Sequence, residues 1–368
     1  FDLKDNLELS TTLSQESLGP KLNLIIHFTG KTGIALLTKS LVFIADRIVD
    51  HAAATLESRS LEMLEDTYFY QVKTALNRIA PSVTYYSSPN AFLDRITDHK
   101  DSIVLSLWSG THLRSRRAII PSICEAYGIA YVGADPYIHT VCADKHLSKA
   151  LCSTYGIKTA EDVVLSSEYE FPMLRGLQFP VVVKPNFEGG SIGIFRENLA
   201  DNYDDAVSVC RKLLPNFEQL LVEEYIAGEE VSVCVAGVAQ QLDVFQVVRV
   251  AVNNKTFFEH DILGAEAKKM GLAKRTRDII TERFPTTEKK KIISLFKSLG
   301  KVEVIRFDGR LNGNNFTMIE LTPDCSLSAT GSMSNAFLAE GYGYEKMLEI
   351  LCQNAVRNQE LEYRNANK

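Results

Sequence analysis

Three valines run into a lysine and then into a loop broken by glycine. In VVVKPNFEGGSIGI, Val181–Ile194, Lys184 closes the apolar run and Glu188-Gly189-Gly190-Ser191 form the tip. Adjacent glycines let backbone N–H groups approach an anion, and the lysine adds a point charge, so the loop suits phosphate. A surface hairpin with a polar turn accounts for the same residues. The Walker pattern G-x-x-x-x-G-K-[ST] is absent. A second cluster is LVEEYIAGEEVSV, where Glu223, Glu224, Glu229 and Glu230 flank a hinge at Gly228. An edge carboxylate with nearby backbone can read an adenine amino group, and another can hold ribose hydroxyls; a solvated acidic turn is the alternative. The third is RFDGRL with FTMIELTPD, in which Asp308 and Glu320 stand near the ends of consecutive strand-like runs. Two neighbouring carboxylates repel unless a cation lies between them, and oxygen ligands beside a nucleotide favour Mg²⁺ or Mn²⁺. An ordinary salt bridge to Arg306 or Arg310 would also satisfy one of them.

Two further groups face the substrate question. Trp108, His112, Arg114, Arg116 and Arg117 follow the C-terminal end of a strand-like run, where open α/β sheets place ligands. The arginines could grip a carboxylate bidentately or form a solvated helix start. Ser326, Ser328 and Ser332 follow Glu320 and could hold a substrate carboxylate.

The elements that must position these residues alternate. LNLIIHF (22–28), SIVLSLW (102–108) and AYVG (130–133) read as buried strands, and 36–56 and 117–129 as helices. Such alternation implies a parallel α/β sheet. Asp144 to Tyr155 reads as a helix that stops at Gly156. VVL (163–165), FPVVVKP (179–185) and GIF (193–195) read as a smaller antiparallel unit, with a helix at 201–213. Strands at 219–237, 244–250, 302–311 and 316–321 follow, with helices at 288–299 and 344–358. The long stretch 253–285 has weak periodicity, as functional loops do.

The 368 residues, 45% hydrophobic and 23% charged with a net charge of -6, describe a globular chain of two or three domains rather than one. No basic face argues for nucleic acid; Lys289-Lys290-Lys291 sits beside acidic residues and reads as a solvated helix face. No apolar run approaches the ~20 residues that span a bilayer. The polar first twenty residues lack a signal peptide's apolar stretch. Seven cysteines without a CxxC pair read as reduced core residues, which places the chain in the cytoplasm.

Together these motifs resemble the ATP-grasp superfamily, in its D-alanine–D-alanine ligase-like branch of carboxylate–amine ligases, from about Lys21 to the C-terminal helix. The resemblance implies an α/β fold of three domains with ATP between the last two. The divisions would be an arm (1–20), an N-terminal α/β domain (21–138), a lid domain (139–227) and a C-terminal domain (228–368). Lys145 and Lys184 would hold phosphate, Glu188 to Gly193, with Gly190 and Ser191, would be the mobile lid loop, and Glu223, Glu224, Tyr225 and Ile226 the adenine hinge. Glu230 would hold ribose and Lys268 the γ-phosphate. Asp308, Glu320 and Thr322 would bind metal, and Arg306 would steady an acyl phosphate. Thr322 departs from the family's asparagine. The substrate end departs further: FTGKTGIALL and LWSGTHLRSRR replace the family's glycine-serine and His-Gly signatures. Trp108, His112, Arg306, Ser326, Ser328 and Ser332 are therefore the substrate candidates. The implied activity is ATP- and Mg²⁺-dependent amide formation between small-molecule carboxylate and amine substrates, amino-acid-type but not two D-alanines, in a chain whose relatives often form homodimers. The alternatives are a catalytically impaired nucleotide-binding regulatory module and a ligase taking one substrate that is not an amino acid.

Overall fold

A computed structural model describes residues 37–47, 62–110, 113–262 and 275–366, with side chains as far as Leu361. The first sheet is parallel, in the order β2-β1-β3-β4: β1 (Leu41–Ile44), β2 (Val83–Tyr86), β3 (Ile103–Ser106) and β4 (Ala130–Val132). Here the helix expected over 36–56 gives way to β1. All four residues of β1 are 0% exposed. Leu41 and Phe43 enter one core cluster and Val42 and Ile44 another, on the opposite face. A central parallel strand is apolar on both faces, so its sequence loses the alternation that distinguishes strand from helix. Residues 48–56 of that span lie outside the described residues. The strand read at 22–28 lies outside the described residues. The Asp66–Ile79 helix buries Phe69, Val72, Leu76 and Ile79 along one stripe.

The second sheet is antiparallel, β5-β8-β6-β7: β5 (Asp162–Leu165), β6 (Val181–Pro185), β7 (Leu199–Ala200) and β8 (Leu220–Glu224). GIF forms no strand; Leu199 and Ala200 pair with Val182 and Val181 instead. Ala206, Val207, Cys210 and Leu213 of the Tyr203–Leu213 helix cover this sheet.

The third sheet runs β12-β10-β9-β13-β14, with β11 on β9: β9 (Gly228–Val238), β10 (Gln241–Val252), β11 (Phe257–Phe258), β12 (Arg275–Ile279), β13 (Val304–Asn312) and β14 (Asn315–Thr322). The stretch read as one long loop thus supplies two strands; residues 263–274 lie outside the described residues. Val231, Val233 and Val235 of β9 pack with Ile292, Leu295 and Phe296 of the Thr286–Ser298 helix. On the other face Cys234 and Ala236 lie in a cluster with Met333, Ala336 and Phe337 of the Ser332–Ala339 helix and Leu348 and Leu351 of the C-terminal helix, Tyr344–Ala366. That cover belongs to the Cys234 end. Glu230 and Ser232, earlier on the same strand face, line a cavity.

The hairpin β13–β14 carries a bulge. Asp308 pairs with Glu320 but Gly309 with Met318, so Ile319 is the extra residue. A bulge re-aims side chains: Met318 and Leu321 both enter the core, while Ile319 and Glu320 line the cavity. Gly309 permits it, since a Cβ there would lie 2.3 Å from the Thr317 carbonyl oxygen. Gly309→Ala should therefore destabilise the protein by about 2 kcal/mol, the ordinary cost of overpacking against an immobile group. Urea unfolding measures this, and a loss under about 0.5 kcal/mol would show that the ladder yields freely.

All seven cysteines are free and buried. Among the described residues no helix is long and apolar enough to cross a membrane.

Candidate functional site

The charged residues of β13 share one face because its register with β9 places Arg306 on Cys234, Asp308 on Ser232 and Arg310 on Glu230. Arg306 Nε lies 2.7 and 2.8 Å from the two carboxylate oxygens of Asp308. Ser232 Oγ donates to Asp308 Oδ1 at 2.7 Å. Thr322 Oγ1 stands off at 3.5 Å from Oδ2. Glu320 Oε1 is 3.3 Å from Lys145 Nζ. Burial alone would lower the Arg306 pKa, but the Asp308 carboxylate beside it raises it above the ordinary value. Arg310 pairs with Glu230 at 2.8 Å.

Lys145 reaches this face from the start of the Lys145–Thr154 helix. Asp144 caps that helix, accepting from the Leu147 N–H at 3.0 Å. The same oxygen accepts from Asn186 Nδ2 at 2.9 Å, and Asn186 Oδ1 accepts from the His146 N–H at 3.1 Å. Asn186 directly follows β6, so these bonds fix Lys145 relative to Lys184. Lys184 is 4% exposed and lies 2.5 Å from Glu223 Oε1; Lys149 lies 2.8 Å from Glu223 Oε2 and 2.8 Å from Asp162. Burial pulls the Lys184 pKa below the ordinary lysine value, and Glu223 only partly offsets it. Burial by itself would raise Glu223, yet Lys184 and Lys149 hold its carboxyl below the usual range.

Two cavities meet here. The first, about 220 Å³, lies between the lid sheet and the open face of the third sheet and is lined by Lys184, Glu223 to Ile226, Glu230 and Asp308. The second, about 610 Å³, is lined by Tyr68, Arg116, Arg117, His139, Ser326 and Ser328. Lys145, Glu188, Gly189, Arg275, Arg306 and Glu320 line both. A group seated at that junction would touch a lysine, an arginine and a carboxylate at once.

Most of the expected residues gather at these cavities: Ser191, Glu224, Tyr225, Ile226 and Ser332 line the first, and Gly190, Thr322, Ser326 and Ser328 the second. Others are corrected. The Trp108 side chain packs against the cluster of Val42, Ile44 and Phe92, because the first sheet buries it on its far face. The Glu188 carboxylate is tied to Arg116 at 3.0 Å. Glu223 lines the first cavity with its carboxylate held by two lysines. Arg116 and Arg117 do not form an open anion grip, since Glu62, Glu188 and Asp324 already neutralise them. His112 and Lys268 lie outside the described residues.

Several residues at the site went unread in the sequence. Lys149 follows Lys145 by one helical turn, a spacing that puts both on one face. Arg275 and Arg277 alternate on β12 and so share a face of that strand; both line the first cavity. Burial and then the neighbouring Arg275 and Arg306 lower the Arg277 pKa, its Nε has no acceptor, and among the described residues its guanidinium meets no carboxylate. His139, pushed down to about 4 by burial, faces the second cavity with Nδ1 unpartnered. Tyr68 and Gln71 hold the serine turn, accepting from the Leu327 N–H at 2.6 Å and the Ala329 N–H at 3.0 Å.

Among the described residues no three His, Cys, Asp or Glu side chains cluster as metal ligands. Asp308, Glu320 and Thr322 nonetheless offer only oxygen, the donor set of a hard divalent ion. Each of the two carboxylates is also held by a cationic side chain, so the pair is already a place where positive charge collects.

A family model described as D-ala D-ala ligase C-terminus matches residues 152–353. The D-alanine–D-alanine ligase of Thermotoga petrophila is 23% identical over 290 residues, spanning 77% of this chain and 90% of its own. A crystal structure of D-alanine–D-alanine ligase from Bacillus anthracis superposes with a TM-score of 0.67 at 18% identity, covering 88% of this chain and 100% of that one. The VanG D-Ala:D-Ser ligase from Enterococcus faecalis superposes with a TM-score of 0.61 at 18% identity, over 87% and 100%.

Proposed function

The chain belongs to the D-ala D-ala ligase C-terminus family and has its ATP-grasp fold, and from that premise we propose that it is an ATP- and Mg²⁺-dependent carboxylate–amine ligase. Its substrates are amino-acid-type molecules, a pair other than two D-alanines. A carboxylate oxygen of the first substrate attacks the γ-phosphorus of ATP, and the bond to the departing ADP oxygen breaks. The amine nitrogen of the second then attacks the acyl carbon, phosphate leaves, and the nitrogen gives up a proton.

The nucleotide occupies the first cavity, with Tyr225 and Ile226 at adenine, Glu230 at ribose, and Lys184 and Lys145 along the phosphates. Asp308, Glu320 and Thr322 hold Mg²⁺, which when bound supplies positive charge to the moving phosphoryl group. Lys145 and Arg306 keep two fixed cations at the junction, so little reorganisation is needed as charge shifts. Ser191, at φ 65, lends the lid loop its turn; Lys268, outside the described residues, remains the candidate for the γ-phosphate by the family resemblance alone. Ser326 and Ser328 seat the second substrate. The acidic side chain that the Arg114–Arg117 cluster suggests for a substrate loses its support, because Arg116 and Arg117 are already paired.

One observation carries this reading: Lys145, Arg306 and Glu320 stand where the cleft lined by Lys184, Glu223 and Glu230 meets a second, larger cavity. The test is phosphate release from ATP and Mg²⁺ across pairs of amino acids, with mass spectrometry of the products. The expected result is release that requires two substrates and a product weighing their sum less water. Nucleotide binding with no release on any acid and amine would point to the impaired regulatory module, a reading favoured only by the long Thr322 contact. Absence of nucleotide binding would end the proposal.

Among the described residues Arg277 faces the nucleotide cleft without a counter-ion, so Arg277→Gln should raise the KM for ATP about tenfold, the worth of one charge-assisted hydrogen bond. A KM unchanged within about twofold would remove Arg277 from the nucleotide's surroundings.

A further inference from the structure

Arg116 lies outside the nucleotide cleft and is 3% exposed. Its Nε donates to the Ser109 carbonyl at 3.1 Å, and Nη1 to those of Leu113 and Phe187 at 3.3 and 3.4 Å. Its Nη2 lies 3.0 Å from Glu62 Oε2 and 3.0 Å from Glu188 Oε2. One guanidinium therefore ties the turn after β3 and Glu62 to the root of the lid loop. Both carboxylates are almost as buried, at 5% and 8% side-chain exposure. Glu188 is held from its other side as well, since Lys145 Nζ donates to its backbone carbonyl. The same lysine stands at the junction of the two cavities. The backbone makes room for the clamp: a Cβ at Gly110, φ 92, would lie 2.7 Å from Arg116 Cβ and 2.8 Å from Cγ and Cδ.

We propose that Arg116 is a positioning residue that holds the Glu188–Gly193 loop down over the junction while the acyl phosphate exists, and so sets how that intermediate divides between amine and water. The inference rests on the ligase reading. Two buried carboxylates share the Arg116 guanidinium here; of the two, Arg117 reaches Glu62, at 3.3 Å, while its Nε is held by Asp324 at 3.0 Å. Without Arg116, Glu188 has lost this counter-ion while facing Glu62, and a buried like-charge pair forces its groups apart or into water. Glu188 begins the loop, so a separation of the two carboxylates displaces the loop. Water then reaches the acyl phosphate: its oxygen bonds to the acyl carbon, the bond to the phosphate oxygen breaks, and carboxylate and phosphate are released, one of the water's protons going to the phosphate and the other to solvent. ATP is spent and no amide forms.

The measurement is the ratio of phosphate released to amide formed, on the full chain with the best substrate pair. Wild type should give a ratio near one. In Arg116→Met the ratio should rise at least about fivefold while total phosphate release falls less than amide formation. Arg116→Lys, which restores the charge but not the fork, should fall between the two. Gly110→Ala keeps the arginine but pushes against its side chain, and should shift the ratio in the same direction. This variant and the lysine carry the test if the methionine variant does not fold, with unfolding temperatures read for each. A ratio of one in folded variants, with both products falling together, would mean that Arg116 only supports the structure, and would overturn the proposal. Wild type that releases phosphate but makes no amide from any pair would instead overturn the ligase reading beneath it.

Discussion

Lys145→Met should cut turnover between about a hundredfold and a thousandfold, the loss seen when one preorganised charge at a developing anion is removed. Methionine keeps the packing of the lysine stem, so the fold should survive. What disappears is one of the three cations that, among the described residues, line both cavities, the others being Arg275 and Arg306. Its Nζ lies 3.3 Å from Glu320 and 3.5 Å from the Asn186 carbonyl, and also donates to Glu188. Lys184 cannot replace it, because Glu223 holds its ammonium. Arg306 cannot move across either, since both Asp308 oxygens hold it. The loss should therefore fall on the chemical step more than on binding. Single-turnover phosphate release should slow by the full factor, while nucleotide affinity measured by calorimetry weakens by less than about tenfold. Turnover within about threefold of wild type would mean that the phosphoryl group does not pass this junction.

Lys145 was legible in the sequence only through the family resemblance; in the structure Asp144 before it proves to be a helix cap rather than a helix residue, which gives the lysine a fixed direction. Lys184, Glu230, Asp308 and Glu320 were legible as charges near the ends of apolar runs. What was hidden depends on contacts between distant segments. LVFIADRIVDHAAATL offers helical and strand spacing at once, and only burial on both faces makes Leu41–Ile44 a strand. The stretch RSRR looks like a basic surface, but three carboxylates from remote segments turn Arg116 and Arg117 inward. Trp108 follows β3 by two residues, and its side chain went to the sheet face away from the cavity, which a strand end does not specify. The bulge at Ile319 was also unreadable, because a ladder's register belongs to two strands together.

Glu223→Leu should destabilise the lid domain by about 3 to 5 kcal/mol, the cost of removing one partner from a buried ion pair. The carboxylate is 4% exposed and serves two ammonium groups, at 2.5 and 2.8 Å. Lys149 would keep Asp162, at 2.8 Å. Among the described residues Lys184 would keep no carboxylate, and it also loses the Glu223 charge and hydrogen bond that raise its pKa. The pH dependence separates this cause from lost packing. In wild type the folded-state pKa of Glu223 is depressed, so its stabilisation is complete above the unfolded value of about 4.3 and fades as pH falls through the folded one. The variant lacks that acid loss. Its Lys184 pKa should be depressed further, so the variant should gain stability as pH rises from the folded-state value toward the unfolded value of about 10.4. Hydrogen exchange of the β6 and β8 amides from about pH 2 to about pH 9 reads both slopes. Protection within about 1 kcal/mol of wild type at neutral pH would show that water or another acceptor takes up Lys184, and that Glu223 is not what holds this lysine in the cleft.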